Sequence, residues 1–263
     1  MEVLESVILG AVQGLTEFLP VSSSGHLQLA KELLGVELEE NLTFDVTLHA
    51  ATVLSTIVVL WSEIWRLIKG LFTHGMNEEK SYFLKLLLSM IPIGFVGFML
   101  GDKIDAMLAS QYIMLVVGVM LLLTAALLSF AYYARPRQKD NISYRDAFVI
   151  GVGQAVAAMP GLSRSGTTIA TGLLLGNNKS AVATFSFLMV LAPIMGEALL
   201  EIIDGGFAIA GVDTMSLLAG FLTAFVVGCL ACKYMINIVK KGKLIWFALY
   251  CAVVGVVAIV CYF

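Results

Sequence analysis

Arg164 stands in Pro160-Gly161-Leu162-Ser163-Arg164-Ser165-Gly166-Thr167-Thr168, a guanidinium among hydroxyls in an otherwise apolar chain. A guanidinium presents a planar fork of donors that matches phosphate oxygens two at a time. Gly161 and Gly166 let backbone N–H groups turn toward the same anion, and a helix starting near Ser165 would aim its positive end there. A second polar stretch, Gln13 to His26 (QGLTEFLPVSSSGH), carries a carboxylate, an imidazole and a run of hydroxyls. Gln13 and Glu17 lie four apart on one helix face, where their oxygens suit a hard cation such as Mg2+ or Ca2+. His26, after Ser22-Ser23-Ser24-Gly25, has the chemistry of a general base or of a nucleophile.

Each of these residues has a plainer use. Glu17 and Arg164 could be an ion pair between helices. The hydroxyls could be helix caps and small-residue packing. His26 could be structural, and that is the preferred reading for His49 and His74. Glu197 is a candidate to line a cavity, while Glu201, one turn on, sits near an interface. Cys229-x-x-Cys232 has metal spacing but no second pair or neighbouring histidine, so the cysteines are read as small apolar residues.

The chain that must position these groups has 263 residues, 59% hydrophobic and 13% charged. Soluble domains carry about 25% charged residues. A water-exposed globule and a disordered chain are therefore excluded, and a net charge of −3 offers no basic face for nucleic acid. Six segments (44–61, 82–100, 112–133, 183–203, 215–232 and 244–263) are apolar enough to cross a bilayer, which needs about 20 residues. No signal peptide is expected, because Glu2 and Glu5 occupy the place of a positive n-region.

The stretches 3–34 and 144–175 are apolar but broken by Pro, Gly and Ser. Irregular backbone at membrane depth survives only inside protein or along a wet cavity. Both are therefore expected to be re-entrant helix–loop–helix hairpins. With both hairpins returning to their side of entry, loops 62–81, 134–145, 176–182 and 233–243 share one side. They hold Arg66, Lys69, Lys80, Arg135, Arg137, Lys139, Arg145, Lys179, Lys233, Lys240, Lys241 and Lys243, against Lys31 and Lys103 opposite. The positive-inside rule makes the first side cytoplasmic and puts both termini outside. This leaves Arg164 as the one basic residue deep in the bundle.

At an offset of 141 the two halves share a register: Gly10 with Gly151, Gln13 with Gln154, Ser22, Ser24 and Gly25 with Ser163, Ser165 and Gly166, Thr43 and Phe44 with Thr184 and Phe185. The mismatches are Glu17 with Ala158, Ser23 with Arg164, and His26 with Thr167. Each half, about 1–133 and 142–263, holds one hairpin and three spans. Three is odd, so the expected fold is a single all-α membrane domain built as an inverted repeat, with its site where the broken helices meet.

These two motifs resemble the signatures of the bacterial undecaprenyl-diphosphate phosphatases, also called bacitracin-resistance proteins, and the likeness spans essentially the whole chain, Phe185-Ser186-Phe187-Leu188 included. The resemblance implies hydrolysis of undecaprenyl diphosphate to undecaprenyl phosphate and inorganic phosphate, with a divalent cation, in the bacterial cytoplasmic membrane. Glu17 resembles the second acid of the family's E/Q-x-x-x-E motif, and Gln13, which bears no charge, stands at the first position. His26 and Arg164 match its essential histidine and arginine, and Ser22, Ser23, Ser24, Ser163, Ser165 and Thr168 its hydroxyls. The chain does not resemble other membrane lipid phosphatases, which need a histidine six residues after the arginine; that position is Ala170.

Glu17, His26, Ser23 and Arg164 are thus the expected catalytic set. Ser22, Ser24, Gly25, Gln154, Ser163, Ser165, Gly166, Thr167 and Thr168 are the expected substrate-binding set, and Glu17 and Gln13 the metal ligands. The nucleophile is Ser23 activated by His26, His26 itself, or a water oriented by Glu17. The expected partners are a polyprenyl diphosphate and membrane lipids, with a homodimer left open. The rival class is a lipid-phosphate transporter or flippase using the same inverted-repeat site.

Overall fold

A computed structural model describes residues 2–36, 42–108, 110–134, 139, 141–203 and 213–262, apart from the side chains of 42, 102, 105 and 197–203. Glu197 and Glu201 therefore lie outside the described side chains, and Arg135 and Arg137 outside the described residues.

Among the described residues the chain forms α1 (Val3–Thr16), α2 (Ser23–Leu34), α3 (Leu42–Val59), α4 (Trp61–Leu71), α5 (Glu78–Leu108), α6 (Ile113–Tyr133), α7 (Tyr144–Val156), α8 (Arg164–Leu174), α9 (Lys179–Ile203), α10 (Thr214–Lys241) and α11 (Ile245–Tyr262), and no strand. Five helices are long and apolar enough to cross a membrane: Glu78–Gly101, Ile113–Tyr133, Lys179–Gly196, Thr214–Lys241 and Ile245–Tyr262. Thr43–Val59 and Trp61–Leu71, bent by 75°, make a sixth if taken as one span. Large apolar side chains such as Phe98, Leu222 and Val253 face outward along these helices. Such a surface is stable only against lipid. The protein is a multi-pass membrane protein.

The stretches read as broken are two pairs of short helices. At about 1.5 Å per residue, α1 (14 residues), α2 (12), α7 (13) and α8 (11) each fall short of a bilayer's width. α1 packs against α10, α7 against α5, and α6 against α11. The contacts of α1 and α7 close over glycine: a Cβ at Gly10 would sit 2.5 Å from the Gly220 carbonyl oxygen, and one at Gly151 would strike that of Ser89. The main core gathers Phe18 from the first loop with Ile169 and Ala170 of α8, Phe187 and Leu188 of α9, and Met235 of α10.

Three expectations need correction. Segment 62–81 is not all loop, because α4 occupies its start. Apolar residues at 61, 64, 65 and 68 against charges at 63, 66 and 69 give a helical period that is too short and too charged for a span. Segment 233–243 is mostly the end of α10, so Lys233, Lys240 and Lys241 stand on a helix. Lys31 is not an exposed loop cation: it stands in the last turn of α2, is 3% exposed and pairs with Asp45 at 2.6 Å. Arg164 is therefore not the sole basic residue inside the bundle.

Candidate active site

The loops between α1 and α2 and between α7 and α8 end in the same cap hydrogen bonds on different backbones, Ser22 at φ 72 and Ser163 at φ −65. Ser22 is the N-cap of α2, and its Oγ accepts the Gly25 N–H at 3.3 Å and lies 3.3 Å from Ser24 Oγ. Ser163 is the N-cap of α8, and its Oγ accepts the Gly166 N–H at 3.0 Å and lies 3.4 Å from Ser165 Oγ. Each serine satisfies one of the amides a helix start leaves unpaired. The first residue inside each helix is then Ser23 in one and Arg164 in the other.

The two loops touch. Ser165 Oγ donates to the Leu19 carbonyl at 3.2 Å. A Cβ at Gly25 would lie 3.3 Å from Gly161 Cα, and one at Gly166 3.3 Å from Pro20 Cβ. Gly161 adopts φ +86, where a side chain is strained, and a Cβ there would fall 2.6 Å from Val117 Cα. The expected glycines therefore serve close approach.

Glu17, at the C-cap of α1, lines a pocket with Arg164 and Ser165 of α8, Thr52 and Thr56 of α3, and apolar residues of α9 including Phe187 and Leu191. Gln13 Nε2 donates to Glu17 Oε2 at 2.9 Å. A carboxylate can only accept, so this bond fixes the amide's orientation and leaves Gln13 Oε1 buried without a partner. His49 of α3 comes within 4.0 Å of the same carboxylate oxygen. Arg164 makes no ion pair among the described residues, although it shares the pocket with Glu17. A guanidinium inside a membrane bundle without a paired carboxylate is open to an anionic ligand.

His26 is not among the residues lining that pocket. Its Nδ1 lies 2.8 Å from the Ser22 carbonyl and its Nε2 2.9 Å from Tyr250 Oη. A carbonyl only accepts, so Nδ1 carries the proton, and in the neutral ring Nε2 accepts from the tyrosine. The Ser23 hydroxyl makes no hydrogen bond among the described residues, while the Ser22, Ser24, Ser163 and Ser165 hydroxyls hold one another and the helix amides. Thr168 Oγ1 donates to the Arg164 carbonyl at 3.0 Å, a helix-internal bond. Thr167 Oγ1 is buried and unpartnered. Gln154 is not brought to the pocket: it is buried between α7 and α5, with Nε2 3.9 Å from Met90 Sδ. Sequence reasoning gave His49 a structural part and passed over Tyr250. The first was detectable as an ionisable side chain inside an apolar span. The second has no sequence signal, since only packing of α11 brings it to His26.

Among the described residues no group of three or more His, Cys, Asp or Glu could hold a metal ion. The oxygens at hand are the Glu17 carboxylate and the orphaned Gln13 amide oxygen. That pair fits an ion of the Mg2+ kind, which binds through one or two carboxylates and takes the rest of its shell from water and substrate phosphates.

A family model described as bacitracin resistance protein BacA matches residues 6–257. An undecaprenyl-diphosphatase of Bacteroides fragilis is 62% identical over 266 residues, covering 99% of this chain and 98% of the relative. Another, of Parabacteroides distasonis, is 60% identical over 264 residues with the same coverage. A more distant one, of Methanosphaera stadtmanae, is 38% identical over 282 residues. Matched from end to end at these identities, the chain belongs to the bacitracin resistance protein BacA family.

Proposed function

We infer that the protein is an undecaprenyl-diphosphate phosphatase, releasing inorganic phosphate and leaving undecaprenyl phosphate for reuse as a carrier in cell-wall synthesis. The observation that carries this is Arg164 without an ion pair, in one pocket with Glu17 inside an apolar bundle whose outer surface suits an isoprenoid tail. Relatives matched over nearly their full length bear the corresponding name. In such a bundle the tail lies in lipid while the diphosphate reaches the loops.

Phosphoryl transfer needs positioning and charge stabilisation more than covalent chemistry from the protein. Arg164 binds the phosphate oxygens as a fork, and the free amides at the start of α8 add their partial charge. Ser23 is the nucleophile in this reading, and its support is a hydroxyl left free among neighbours that are all engaged. Its oxygen attacks the terminal phosphorus, the bond from that phosphorus to the bridging oxygen breaks, and undecaprenyl phosphate departs. His26, one turn along α2, accepts the serine proton once Tyr250 releases its Nε2. Water then attacks the phosphoserine and phosphate leaves. A divalent ion held by Glu17 and Gln13 would neutralise charge on the diphosphate.

The finer topology belongs to the same proposal. Helices α1–α2 and α7–α8 are re-entrant hairpins of a single inverted-repeat domain, with halves near 1–133 and 142–263, in the bacterial cytoplasmic membrane with both termini outside. Support comes from helices too short to cross, from matching N-cap hydrogen bonds at an offset of 141, and from the basic residues that the sequence gathers in one set of connecting segments.

The test is direct. Purified protein in detergent with undecaprenyl diphosphate and Mg2+ should release phosphate, and a quenched turnover should yield phosphoserine at Ser23. No release, with prenyl-diphosphate binding that still depends on Arg164, would turn the reading to transport.

A further inference from the structure

The Glu17 carboxylate has a neighbour beyond the two oxygen donors. His49 Nδ1 lies 2.9 Å from the Asp45 carbonyl oxygen in its own helix. The carbonyl can only accept, so Nδ1 donates there and Nε2 is the ring nitrogen left to meet another partner. Nε2 stands 4.0 Å from Glu17 Oε2. An imidazole whose other nitrogen is tied to a backbone carbonyl is the usual form of a metal-binding histidine. Two bonds of about 2.0–2.2 Å each are long enough to span this gap through one ion.

The second, independent observation is Gln13. It is fully buried, its Nε2 is held by Glu17, and its Oε1 has no partner. Buried acceptors are rarely left unpaired. A plain His49–Glu17 ion pair leaves that oxygen orphaned, and 4.0 Å is too long for a hydrogen bond. A cation placed among Glu17, His49 and Gln13 would account for all three.

We propose that His49 is the nitrogen ligand of a divalent-cation site completed by Glu17 and Gln13, and that it turns the site toward ions of the Zn2+ or Co2+ kind over Mg2+ and Ca2+. Imidazole favours such borderline metals, whereas an all-oxygen set does not. The proposal rests on Glu17 as a cation ligand at the phosphatase site and adds this chain's own third donor. Asp45, one turn before His49, does not join, because Lys31 holds its Oδ2 at 2.6 Å. Thr52 and Thr56 line the pocket with their protons committed to helix carbonyls.

The test uses full-length protein in detergent, stripped of metal and free of substrate. Loaded with Mn2+, it should show one imidazole 14N coupling by pulsed electron paramagnetic resonance, lost in His49→Gln and kept in His26→Gln. Calorimetric titration should show Zn2+ binding in excess Mg2+. His49→Gln should weaken Zn2+ by about tenfold or more and change Mg2+ by less than about threefold. The wild-type spectrum needs no variant to fold, and absence of a nitrogen coupling there overturns the proposal. So does a coupling that survives in His49→Gln. Wild-type protein that lacks the coupling yet releases phosphate would sink this inference alone, whereas failure to release phosphate with any divalent ion would sink the phosphatase reading.

Discussion

The loops that end in Ser22 and in Ser163 share their cap hydrogen bonds but neither backbone nor chemistry: Ser22 sits at φ 72, in the left-handed region, and Ser163 at φ −65. Both cap with a serine whose Oγ takes the amide three residues on, and both set a second serine beside it. At the next position one carries Ser23 and the other Arg164. Three residues further, one carries His26 and the other Thr167. The matching registers thus supply two helix starts at one junction, and the mismatches supply a carboxylate, a free hydroxyl and an imidazole from one side and a guanidinium from the other. A pair of identical loops could offer matched donors but not opposite charges.

The largest expected effect comes from erasing the difference. Arg164→Lys keeps the charge but removes the fork, and phosphate release should fall by about 100-fold or more. Near-normal turnover would refute the assigned role. Ser23→Ala should abolish the phosphoserine signal while prenyl-diphosphate binding persists. If hydrolysis survives unchanged, the nucleophile is His26 or water.

Next come changes to what the loops share. Gly161→Ala forces a Cβ to within 2.6 Å of Val117 Cα at positive φ and should cost about 2–4 kcal/mol, seen as a lower unfolding temperature in detergent. Gly97→Ala, with nothing within 4 Å, should leave that temperature unchanged or raise it slightly. The ion pairs beside each pair of short helices can be compared as well. Lys31→Met strands Asp45 beside a lysine site only 3% exposed and should cost about 2–3 kcal/mol, largely regained in Lys31→Met/Asp45→Leu. The Lys139 side chain is 44% exposed, but Lys139→Met strands the Asp146 carboxylate, 5% exposed, and should also lower the unfolding temperature, an effect largely regained in Lys139→Met/Asp146→Asn.

The smallest effect concerns pH. Burial pushes the Asp146 carboxyl up, but hydrogen bonds from Lys139 and Ser143, with the lysine's charge, outweigh it and hold the group below its ordinary value. A lowered folded value means this stabilisation is whole above about pH 4, the unfolded carboxylate's range, and is lost as pH falls through the lowered value. Unfolding temperature compared between wild type and Asp146→Asn should therefore show a constant gap from neutral pH to about 5, closing only in stronger acid.

What the amino-acid sequence determined by itself was the solvent, the crossing segments and the two polar loops. Each is local: about 20 apolar residues declare a span, and Pro, Gly and Ser break a helix whatever surrounds them. The N-cap serines were legible for the same reason, since a cap acts within three residues. Which polar groups meet was not local. Lys31 looked like a loop cation, but the fold buries it and sets it 2.6 Å from Asp45 of α3. His49 looked structural because its partner Glu17 is 32 positions away on another helix. His26 and Tyr250 are 224 positions apart and meet only because α11 packs beside α2's start. Gln154, matched in sequence to Gln13, meets Met90 of α5 where Gln13 meets Glu17, because α7 faces α5 while α1 faces α10. Helix packing chooses one face of each helix for the interior, and that choice depends on all neighbours at once, which no single stretch of sequence records.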